Sequence, residues 1–589
     1  MTRETGTRTA RDAGTETDGG ARATGGPVRR LPQPSPRTRR LVLPLLVTVL
    51  LAQMAVALVT CAAQETPTID EPVYVGAATV YVREHSLRYN PEHPPLGKLF
   101  IGAGVALARP HLDTSFTGDE GAVGRHLLYE SGNDPWRLML WARLPVIALT
   151  LLFGLAVFAF ARELAGAVGG LTALALYTFS PDVVAHGSLA TLDVPAAGFV
   201  LTSVWLLWRA RIRPWRYLPL AGAALGAACA TRASTLPAVA VLVPLAVLSV
   251  RAAYGRHRPP GRPGPEPVPG QLRTPLARAV CAVLVVLVTA VAVVWVSYLA
   301  VDPRLRWALP PEVGRPHGLR VRLAGLLPFP RPYRDGMLIQ FGLEARPWQT
   351  FLFGRVHTGP LWYYLPAAFA VKTPLGTLVL WAAGTGALLA VRGLRPAALY
   401  VLLPAVVLTA FVMDSARDFG TRYAVLVPML LAVAAGCVPV LVRRAFRDTR
   451  RRWAFAATGA LVAFAAVSSV RAYPYYLPYS NEAFGGPAAT HLRLHDSNVD
   501  WGQDLGRLAD RLRERYPGER VWLVYKGSGV PARYGIRAAD PRAVPPDTVH
   551  GLLAVSDSAA ARATGRLALL LRTSRPVDDV GHSITVYRR

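Results

Sequence analysis

The chain is poor in charged residues and in cysteine, and each shortage excludes a class of protein or of site. Only 17% of its 589 residues are charged, against about 25% in an average soluble protein, while 52% are hydrophobic. The hydrophobic residues are collected into long runs, which is typical of a membrane protein and not of a soluble chain divided into several domains. The four cysteines lie in or beside these runs without metal-binding spacing or a disulfide framework, so no cysteine-based metal site is predicted.

Lysine is nearly absent as well. The chain has 62 arginines and three lysines, Lys98, Lys372 and Lys526. A coding bias toward arginine explains the ratio, but it also makes each lysine a position where a compact ammonium group matters. The formal net charge of +28 would suit a nucleic-acid-binding protein. However, the basic residues mostly flank the apolar runs, where cytoplasmic anchoring accounts for much of the excess, so no nucleic-acid partner is predicted.

The apolar runs predict an all-α polytopic membrane protein with about eleven transmembrane helices. The first run, Leu41–Ala63, follows residues 1–38, which lack apolar periodicity and are predicted to be a disordered cytoplasmic tail. A cleaved signal peptide is the alternative for this run, but the long tail and the long run argue against it. The other predicted spans are 138–160, 166–181, 188–208, 216–231, 234–250, 277–300, 374–391, 397–413, 422–442 and 454–472.

The placement of arginines predicts the orientation in the membrane. Connections 251–276 and 443–453 hold arginine clusters, which places them and the amino terminus in the cytoplasm, and the first of the two is rich in Pro and Gly and expected to be flexible. One outer connection, loop 302–358, departs from the rule because it carries nine arginines. Either this loop binds anions or the span count is wrong there, and 360–372 is a candidate for a further partial span or an interfacial helix.

An odd number of spans places the carboxyl terminus outside the cytoplasm. Residues 473–589 contain no apolar span and are predicted to form a small soluble α/β domain. We expect a helix near 502–516 and four strands from the apolar and β-branched runs. The predicted strands are Val521–Tyr525, Leu552–Val555, Ala568–Leu571 and Ile584–Tyr587.

The first outer loop, 64–137, concentrates residues that can carry chemistry. Asp70-Glu71 follows the first span almost directly, and a helix-like run over 73–86 separates it from His93-Pro94-Pro95-Leu96-Gly97-Lys98. A carboxylate pair at this place is either a helix cap or a functional pair. Its position at the membrane surface, before a rigid Pro-Pro turn with a histidine and a lysine, favours a pair that faces a polar cavity.

These two motifs and the many spans resemble the protein O-mannosyltransferase and aminoarabinose-transferase group, which are lipid-carrier-dependent glycosyltransferases of the GT-C fold. The resemblance covers about residues 40–520. It implies a GT-C transmembrane domain over 39–472, with the loop 64–137 catalytic, and an acidic pair whose Asp is the catalytic base. Further stretches similar to bacterial members are 180–193, Trp362–Pro366 with Lys372-Thr373-Pro374, Arg422-Tyr423 and 496–505.

The reaction that the resemblance implies needs few catalytic groups. A polyprenyl-phosphate sugar leaves as a stable phosphate, so no strong general acid is required, unlike in a glycoside hydrolase. A base must take the proton of the acceptor hydroxyl, and fixed cations must stabilise the phosphate. We predict that Asp70 is the base and that Glu71 positions the acceptor or tunes Asp70 by like charge. Because the first loop lacks an extended DxD motif, we expect no cofactor and no divalent metal.

Three cations are predicted to bind the donor phosphate. Arg232, Lys372 and Arg422 each lie near the outer end of a predicted span. Each of them could instead extend its charge to the membrane surface without any ligand. Lys372 stands out because lysine is scarce and because Thr373-Pro374 follows it.

Three further residues are predicted to bind substrate. Asp193 lies near the start of a predicted span, where it is either a site residue or a carboxylate favoured by the helix dipole. His93 and Lys98 come from the motif after the acidic pair, and His93 either pairs with Asp70 or caps the Pro-Pro turn. Trp501 could stack on a sugar, but the preferred interpretation is that it attaches the tail to the membrane domain.

The predicted function is therefore the inverting transfer of a sugar from a polyprenyl-phosphate donor to an acceptor hydroxyl outside the cytoplasm. The expected partners are this donor, an acceptor on a protein, lipid or glycan, and membrane lipids. A transporter or flippase of lipid-linked sugars is one alternative, although no internal repeat is visible in the sequence. A non-catalytic assembly protein of the cell envelope, working through its soluble tail, is the other.

Overall fold

The computed structural model describes residues 36–255, 274–308, 318–344 and 346–589, and the contacts discussed below lie within one compact unit, 46–589. Nearly all of the predicted tail 1–38 lies outside the described residues, and its last residues, from Pro36, already belong to a helix. Much of the connection 251–276 and part of loop 302–358 also lie outside the described residues.

The described residues up to 472 are mainly helical, which confirms the predicted fold class. Several helices have proline in their first turn, where the N–H group that proline lacks would have no partner within the helix. Examples are the helices that begin at Pro135, Pro214 and Pro275. The helices are α1 Pro36–Gln64, α2 Glu71–Glu84, α3 Pro95–Ala108, α4 Glu120–Tyr129, α5 Pro135–Thr178, α6 Pro181–Gly187, α7 Asp193–Ala210, α8 Pro214–Thr231, α9 Pro237–Tyr254, α10 Pro275–Val301, α11 Leu319–Leu326, α12 Arg331–Glu344, α13 Tyr364–Lys372, α14 Leu375–Ala390, α15 Arg395–Met413, α16 Leu426–Ala435, α17 Val438–Ala445 and α18 Asp448–Arg471.

Among the described residues, seven helical segments are long and apolar enough to cross a membrane, or up to eight if a bent pair counts as one span. The predicted number of about eleven spans is therefore not confirmed, although every predicted span overlaps a helix. Two predicted spans overlap α5, which has 44 residues and breaks at Gly166, where φ is 77° and only glycine is unstrained. Two others correspond to α7 and α8, which carry charged residues and have only 18 residues each.

The bent pair consists of α13 and α14, whose axes differ by 120°. The first member has nine residues, so the predicted partial span or interfacial helix at 360–372 is present as a short helix. The turn between the two helices is Thr373-Pro374, where proline prevents the first helix from continuing.

Helices α8 and α10 approach each other closely through two glycines. Gly222 and Gly226 lie one helical turn apart, and a Cβ atom on either would overlap with Thr289 or with the backbone of Val286 and Ala290 on α10. This is the small-xxx-small pattern by which membrane helices bring their backbones together.

Replacing Gly226 with Leu is expected to lower the free energy of unfolding by about 1–3 kcal/mol, because the added side chain has no room between α8 and α10. The measurement is thermal unfolding of the detergent-solubilised protein. The matched control is Gly386→Leu on α14, where an added Cβ meets open space. Equal losses of stability in the two variants would contradict the tight α8–α10 contact.

Two short strands, β1 Gln349–Leu352 and β2 Arg355–Thr358, form a hairpin in loop 302–358.

The carboxyl-terminal region contains helices and a small sheet. Its elements are α19 Leu505–Arg515, β3 Val521–Val524, β4 Ala538–Ala539, β5 Leu552–Ser556, α20 Asp557–Ala560, α21 Gly565–Arg572, β6 Arg575–Val580 and β7 Ile584–Arg588. The five strands form one sheet with the order β4-β3-β5-β7-β6, so the predicted small α/β fold is confirmed. Strand β3 is parallel to β4 and β5, whereas β7 is antiparallel to β5 and β6.

One predicted strand is wrong. Ala568–Leu571 lies in α21, where Leu567 and Leu570 are buried three residues apart on one helix face. A short apolar run does not distinguish a strand from a buried helix, and Leu and Ala favour the helix here. The strand β6 was not predicted because its sequence contains a proline and two aspartates, which an edge strand accepts.

Candidate active site

Asp70 stands at the amino end of α2, but its side chain does not cap the helix. Its Oδ2 atom instead accepts a hydrogen bond from Nη1 of Arg422 at 2.7 Å. The two residues are 352 positions apart in the chain, so this pairing is created by the tertiary fold. The Asp70 side chain is 30% exposed, and it is therefore a charged group that a ligand can reach.

Glu71 points into the protein, away from the exposed side of Asp70. Its carboxylate accepts hydrogen bonds from Nε and Nη2 of Arg143 at 2.8 and 2.6 Å. Further bonds come from the backbone N–H groups of Thr68 and Ala190 at 2.9 and 2.7 Å. The side chain has no exposed surface. Both of its oxygens are engaged by the protein, and the role predicted for Glu71, positioning the acceptor or tuning Asp70 by like charge, stays a prediction.

Arg143 completes this buried anchor from α5. Besides Glu71, it donates hydrogen bonds to the carbonyl oxygens of Ala62, Glu65 and Thr66, at 2.6, 2.8 and 3.2 Å. These carbonyls belong to the end of α1 and to the chain just after it, so Arg143 fixes the segment that leads to Asp70. Arg143 was not predicted as a site residue, although an arginine inside an apolar span marks a candidate by itself.

Arg422 is the centre of the candidate site. It lies in a 3₁₀ turn, Thr421–Ala424, just before α16, and its side chain is 6% exposed. Besides pairing with Asp70, its Nη1 atom lies 3.7 Å from Oδ2 of Asp193. Its Nη2 atom donates to the hydroxyl of Tyr423 at 3.1 Å. Two carboxylates from different helices thus converge on one guanidinium.

Arg232 provides the second cation. It directly follows α8 and forms an ion pair with Asp193 at the start of α7. Its guanidinium lies 5.2 Å from the ring centre of Tyr423, and that of Arg422 lies 4.7 Å from the same ring. The structure therefore brings Arg232 and Arg422, two of the three cations predicted for the donor phosphate, together with Asp193.

A cavity begins at these charges and continues between α7, α9, α15 and α16. Beyond the two arginines and Asp193, its walls are mainly apolar. Phe411 on α15 lines the cavity and is also 58% exposed on the outside of the helix bundle, so the cavity reaches the apolar surface of the protein. Other apolar wall residues are Val200, Pro237, Leu408, Val412 and Leu426.

Several buried polar atoms around this cavity have no hydrogen-bond partner among the described residues. They are Oδ2 of Asp193, Nε of Arg232 and Nε of Arg422. Buried polar atoms are nearly always hydrogen-bonded in folded proteins. Three such atoms in one region indicate a place where a polar ligand binds.

His93 is predicted to bind substrate, and the structure places it near the cations. Its ring packs edge-on against Tyr74 at 5.8 Å. Burial, reinforced by the positive charges of Arg232 and Arg422, lowers the pKa of His93 well below its ordinary value, so the ring is neutral. Burial raises the pKa of Tyr74, which interacts electrostatically with Asp70 and both arginines, so its hydroxyl remains protonated. Tyr74 was not predicted, although it lies one helical turn after Asp70.

Lys98 and Lys372 are turned toward the protein instead. Lys98 donates to the carbonyl oxygens of Asn90 and His93 at 2.6 and 2.7 Å, and to the side chain of Asn90 at 3.1 Å. Lys372 donates to the carbonyl oxygens of Leu477 and Asn498 at 2.6 and 3.2 Å. Both ammonium groups are buried and engaged. Both lysines are therefore held by other parts of the chain, and their role as substrate ligands stays a prediction.

No group of three or more His, Cys, Asp or Glu side chains suited to a metal ion occurs in the part of the chain that the structure describes. The expectation that no divalent metal takes part stays a prediction.

The fold and the site define a polytopic membrane protein with a cavity that is charged at one end and mainly apolar along its walls. The family described as dolichyl-phosphate-mannose-protein mannosyltransferase matches residues 138–256. The matched segment includes Asp193 and Arg232. This match confirms the resemblance to lipid-carrier-dependent glycosyltransferases that the motifs indicate, and it supports a glycosyltransferase as the class of enzyme. No curated protein sequence matches the chain.

The fold is also similar to three solved structures. ArnT from Cupriavidus metallidurans in the apo state has 16% identity and a TM-score of 0.42, covering 92% of this chain and 97% of ArnT. The same protein bound to undecaprenyl phosphate has 15% identity and a TM-score of 0.44, with the same coverage. The apo oligosaccharyltransferase of Archaeoglobus fulgidus has 13% identity and a TM-score of 0.41, covering 80% of this chain and 58% of that protein.

Proposed function

We propose that the protein transfers a sugar from a polyprenyl-phosphate donor to an acceptor hydroxyl on the extracytoplasmic side of the membrane, with inversion at the anomeric carbon. The observation that carries the proposal is one cavity that joins two arginines to an apolar wall beside Asp70. A polyprenyl phosphate has the same two-part chemistry, an anion attached to a long apolar chain. The matched mannosyltransferase family supports this donor class and favours a hexose.

The donor is held at its phosphate. Arg232 and Arg422 provide the N–H groups that bind the phosphate oxygens, and their Nε atoms have no other hydrogen-bond partner among the described residues. The isoprenoid chain lies along α9 and α15 and leaves the cavity toward the lipid beside Phe411. A neutral His93 adds a polar contact without adding charge.

The reaction is a single displacement. The acceptor oxygen attacks the anomeric carbon, the bond from that carbon to the phosphate oxygen breaks, and the hydroxyl proton moves to Asp70. The polyprenyl phosphate leaves with the electron pair, and the two arginines stabilise its added charge. A phosphate bound to Arg422 replaces part of the Arg422–Asp70 contact, which leaves Asp70 available to the acceptor.

The partially exposed Asp70 favours an enzyme over the two alternatives. A flippase needs the apolar cavity and the cations but has no use for a reachable carboxylate at their side. An assembly protein working through its tail needs neither. Only the enzyme forms a new glycosidic bond, so a covalent product distinguishes the three.

The test uses membranes from cells that express the chain, so that the membranes also supply the acceptor. Labelled polyprenyl-phosphate mannose is added, and label that becomes inseparable from the acceptor fraction is measured. We expect transfer, and an α or β linkage opposite to that of the donor identifies inversion. Mass spectrometry of lipids that co-purify with the protein identifies the natural donor. Movement of label across the membrane without a covalent product would support the flippase instead.

Replacing Arg232 with Gln is expected to weaken binding of the donor by roughly 10- to 100-fold, because a charge-assisted hydrogen bond of about 1.5–3 kcal/mol is lost. Binding of undecaprenyl phosphate to the purified protein is the measurement. The control is Arg471→Gln at the exposed end of α18, which removes the same charge outside the cavity. A similar loss in the control would show that Arg232 acts through the general field of the protein.

A further inference from the structure

The segment 496–503 of the carboxyl-terminal region is built into the candidate active site. Trp501 is 1% exposed, and its ring lies 4.1 Å from the guanidinium carbon of Arg422. This stacking is the shortest contact between Arg422 and an aromatic ring in the described part of the chain. The same ring also packs in an edge-type arrangement with His186, with 6.1 Å between the ring centres, so Trp501 contacts two side chains of the membrane domain.

The backbone of this segment also holds the irregular stretch of chain that leads to Asp70. The N–H of Ile69 donates to the carbonyl oxygen of Trp501 at 3.0 Å, and the N–H of Thr66 donates to that of Gln503 at 2.9 Å. The same short segment therefore holds both residues of the ion pair. It binds the backbone just before Asp70, and the Trp501 ring contacts the guanidinium of Arg422.

Asn498 supports the turn that carries Arg422. Its Oδ1 atom accepts a hydrogen bond from the N–H of Thr421 at 3.2 Å, and its Nδ2 atom donates to the hydroxyl of Tyr364 at 2.8 Å. The neighbouring Ser497 donates to the carbonyl oxygen of Phe419 at 2.7 Å. Lys372 donates to the carbonyl oxygen of Asn498, which links the same segment to α13.

We propose that Trp501 is a positioning residue that holds the guanidinium of Arg422 where the donor phosphate binds, and that Asn498 does the same for its backbone. This inference rests on the proposed function. An arginine side chain has several rotatable bonds, and an unsupported one loses conformational entropy when it binds an anion. A buried ring beneath the guanidinium removes that cost in advance and leaves the edges of the guanidinium free for oxygen ligands.

The test compares three variants of the full-length protein by their affinity for undecaprenyl phosphate in detergent. Trp501→Leu is expected to weaken binding by roughly 10- to 30-fold, since a desolvated cation–π contact is lost, whereas Trp501→Phe stays within about threefold because a ring remains. Trp522→Leu is the matched control. Trp522 is also buried, at 2% exposure, and also lies against an arginine, Arg520, but it belongs to the sheet. Trp501→Met replaces the leucine variant if that protein does not accumulate.

A double-mutant cycle separates positioning from general stability. If Trp501 acts through Arg422, Trp501→Leu has no further effect on affinity in an Arg422→Gln background. Equal affinities of the wild type and Trp501→Leu, or additive losses in the cycle, would overturn the inference while leaving the proposed function intact. Failure of the wild-type protein to bind undecaprenyl phosphate would overturn the proposed function and this inference with it.

Discussion

Replacing Asp70 with Asn is expected to lower the rate of sugar transfer by at least about 100-fold, the usual scale for the loss of a general base. Asparagine has nearly the same shape and is also suited to the start of a helix, so α2 remains in place. It cannot take the proton of the acceptor hydroxyl. The transfer of label from polyprenyl-phosphate mannose is the measurement.

Binding of the donor separates this effect from misfolding. Removal of the Asp70 carboxylate frees Nη1 of Arg422, so the affinity for undecaprenyl phosphate is expected to be unchanged or higher. The matched control is Asp134→Asn. Asp134 also precedes a helix in the same loop, 64–137, but its side chain caps α5 at 2.9 Å and lies outside the cavity. Near-wild-type transfer by Asp70→Asn would exclude Asp70 as the base.

Replacing Glu71 with Gln is expected to cost about 3–5 kcal/mol of stability, because it leaves the charge of Arg143 buried without a counter-charge. Neither side chain of this pair is exposed. The glutamine variant retains the size of the side chain, so the loss reports on charge and not on packing. Unfolding of the solubilised protein is the measurement.

The control for this second prediction is another Glu–Arg pair. Glu163 and Arg209 lie 3.3 Å apart, and each side chain is about a third exposed, so Glu163→Gln is expected to cost at most about 1 kcal/mol. Equal costs in the two variants would contradict the buried anchor. Transfer per folded molecule should fall less in Glu71→Gln than in Asp70→Asn, because both oxygens of Glu71 are engaged by the protein.

The adjacent residues Asp70 and Glu71 show the limit of sequence reasoning. Their types and their position after the first span predicted a functional pair. The start of a helix turns successive side chains in different directions. One carboxylate therefore meets Arg422 at the cavity and the other meets Arg143 in the interior. The helices that pack against α2 decide which of the two carboxylates faces Arg422 and which faces Arg143.

The two lysines give the same lesson for scarce residue types. Their rarity predicts positions where a compact ammonium group matters, and in the structure both Lys98 and Lys372 are buried. It could not indicate what surrounds them. The carbonyl oxygens that hold Lys372 belong to residues 477 and 498, more than 100 positions along the chain.

The sequence by itself determined the helices, the small carboxyl-terminal α/β fold and the residue types of the site, because apolar runs, proline positions and short motifs act over a few neighbouring residues. The tertiary structure decided which charges meet. Asp70, Asp193, Arg232 and Arg422 come from four separate parts of the chain, and Trp501 comes from a fifth. Ion pairs and ring contacts depend on distances of a few ångströms between such parts, and only the packing of the helices sets those distances.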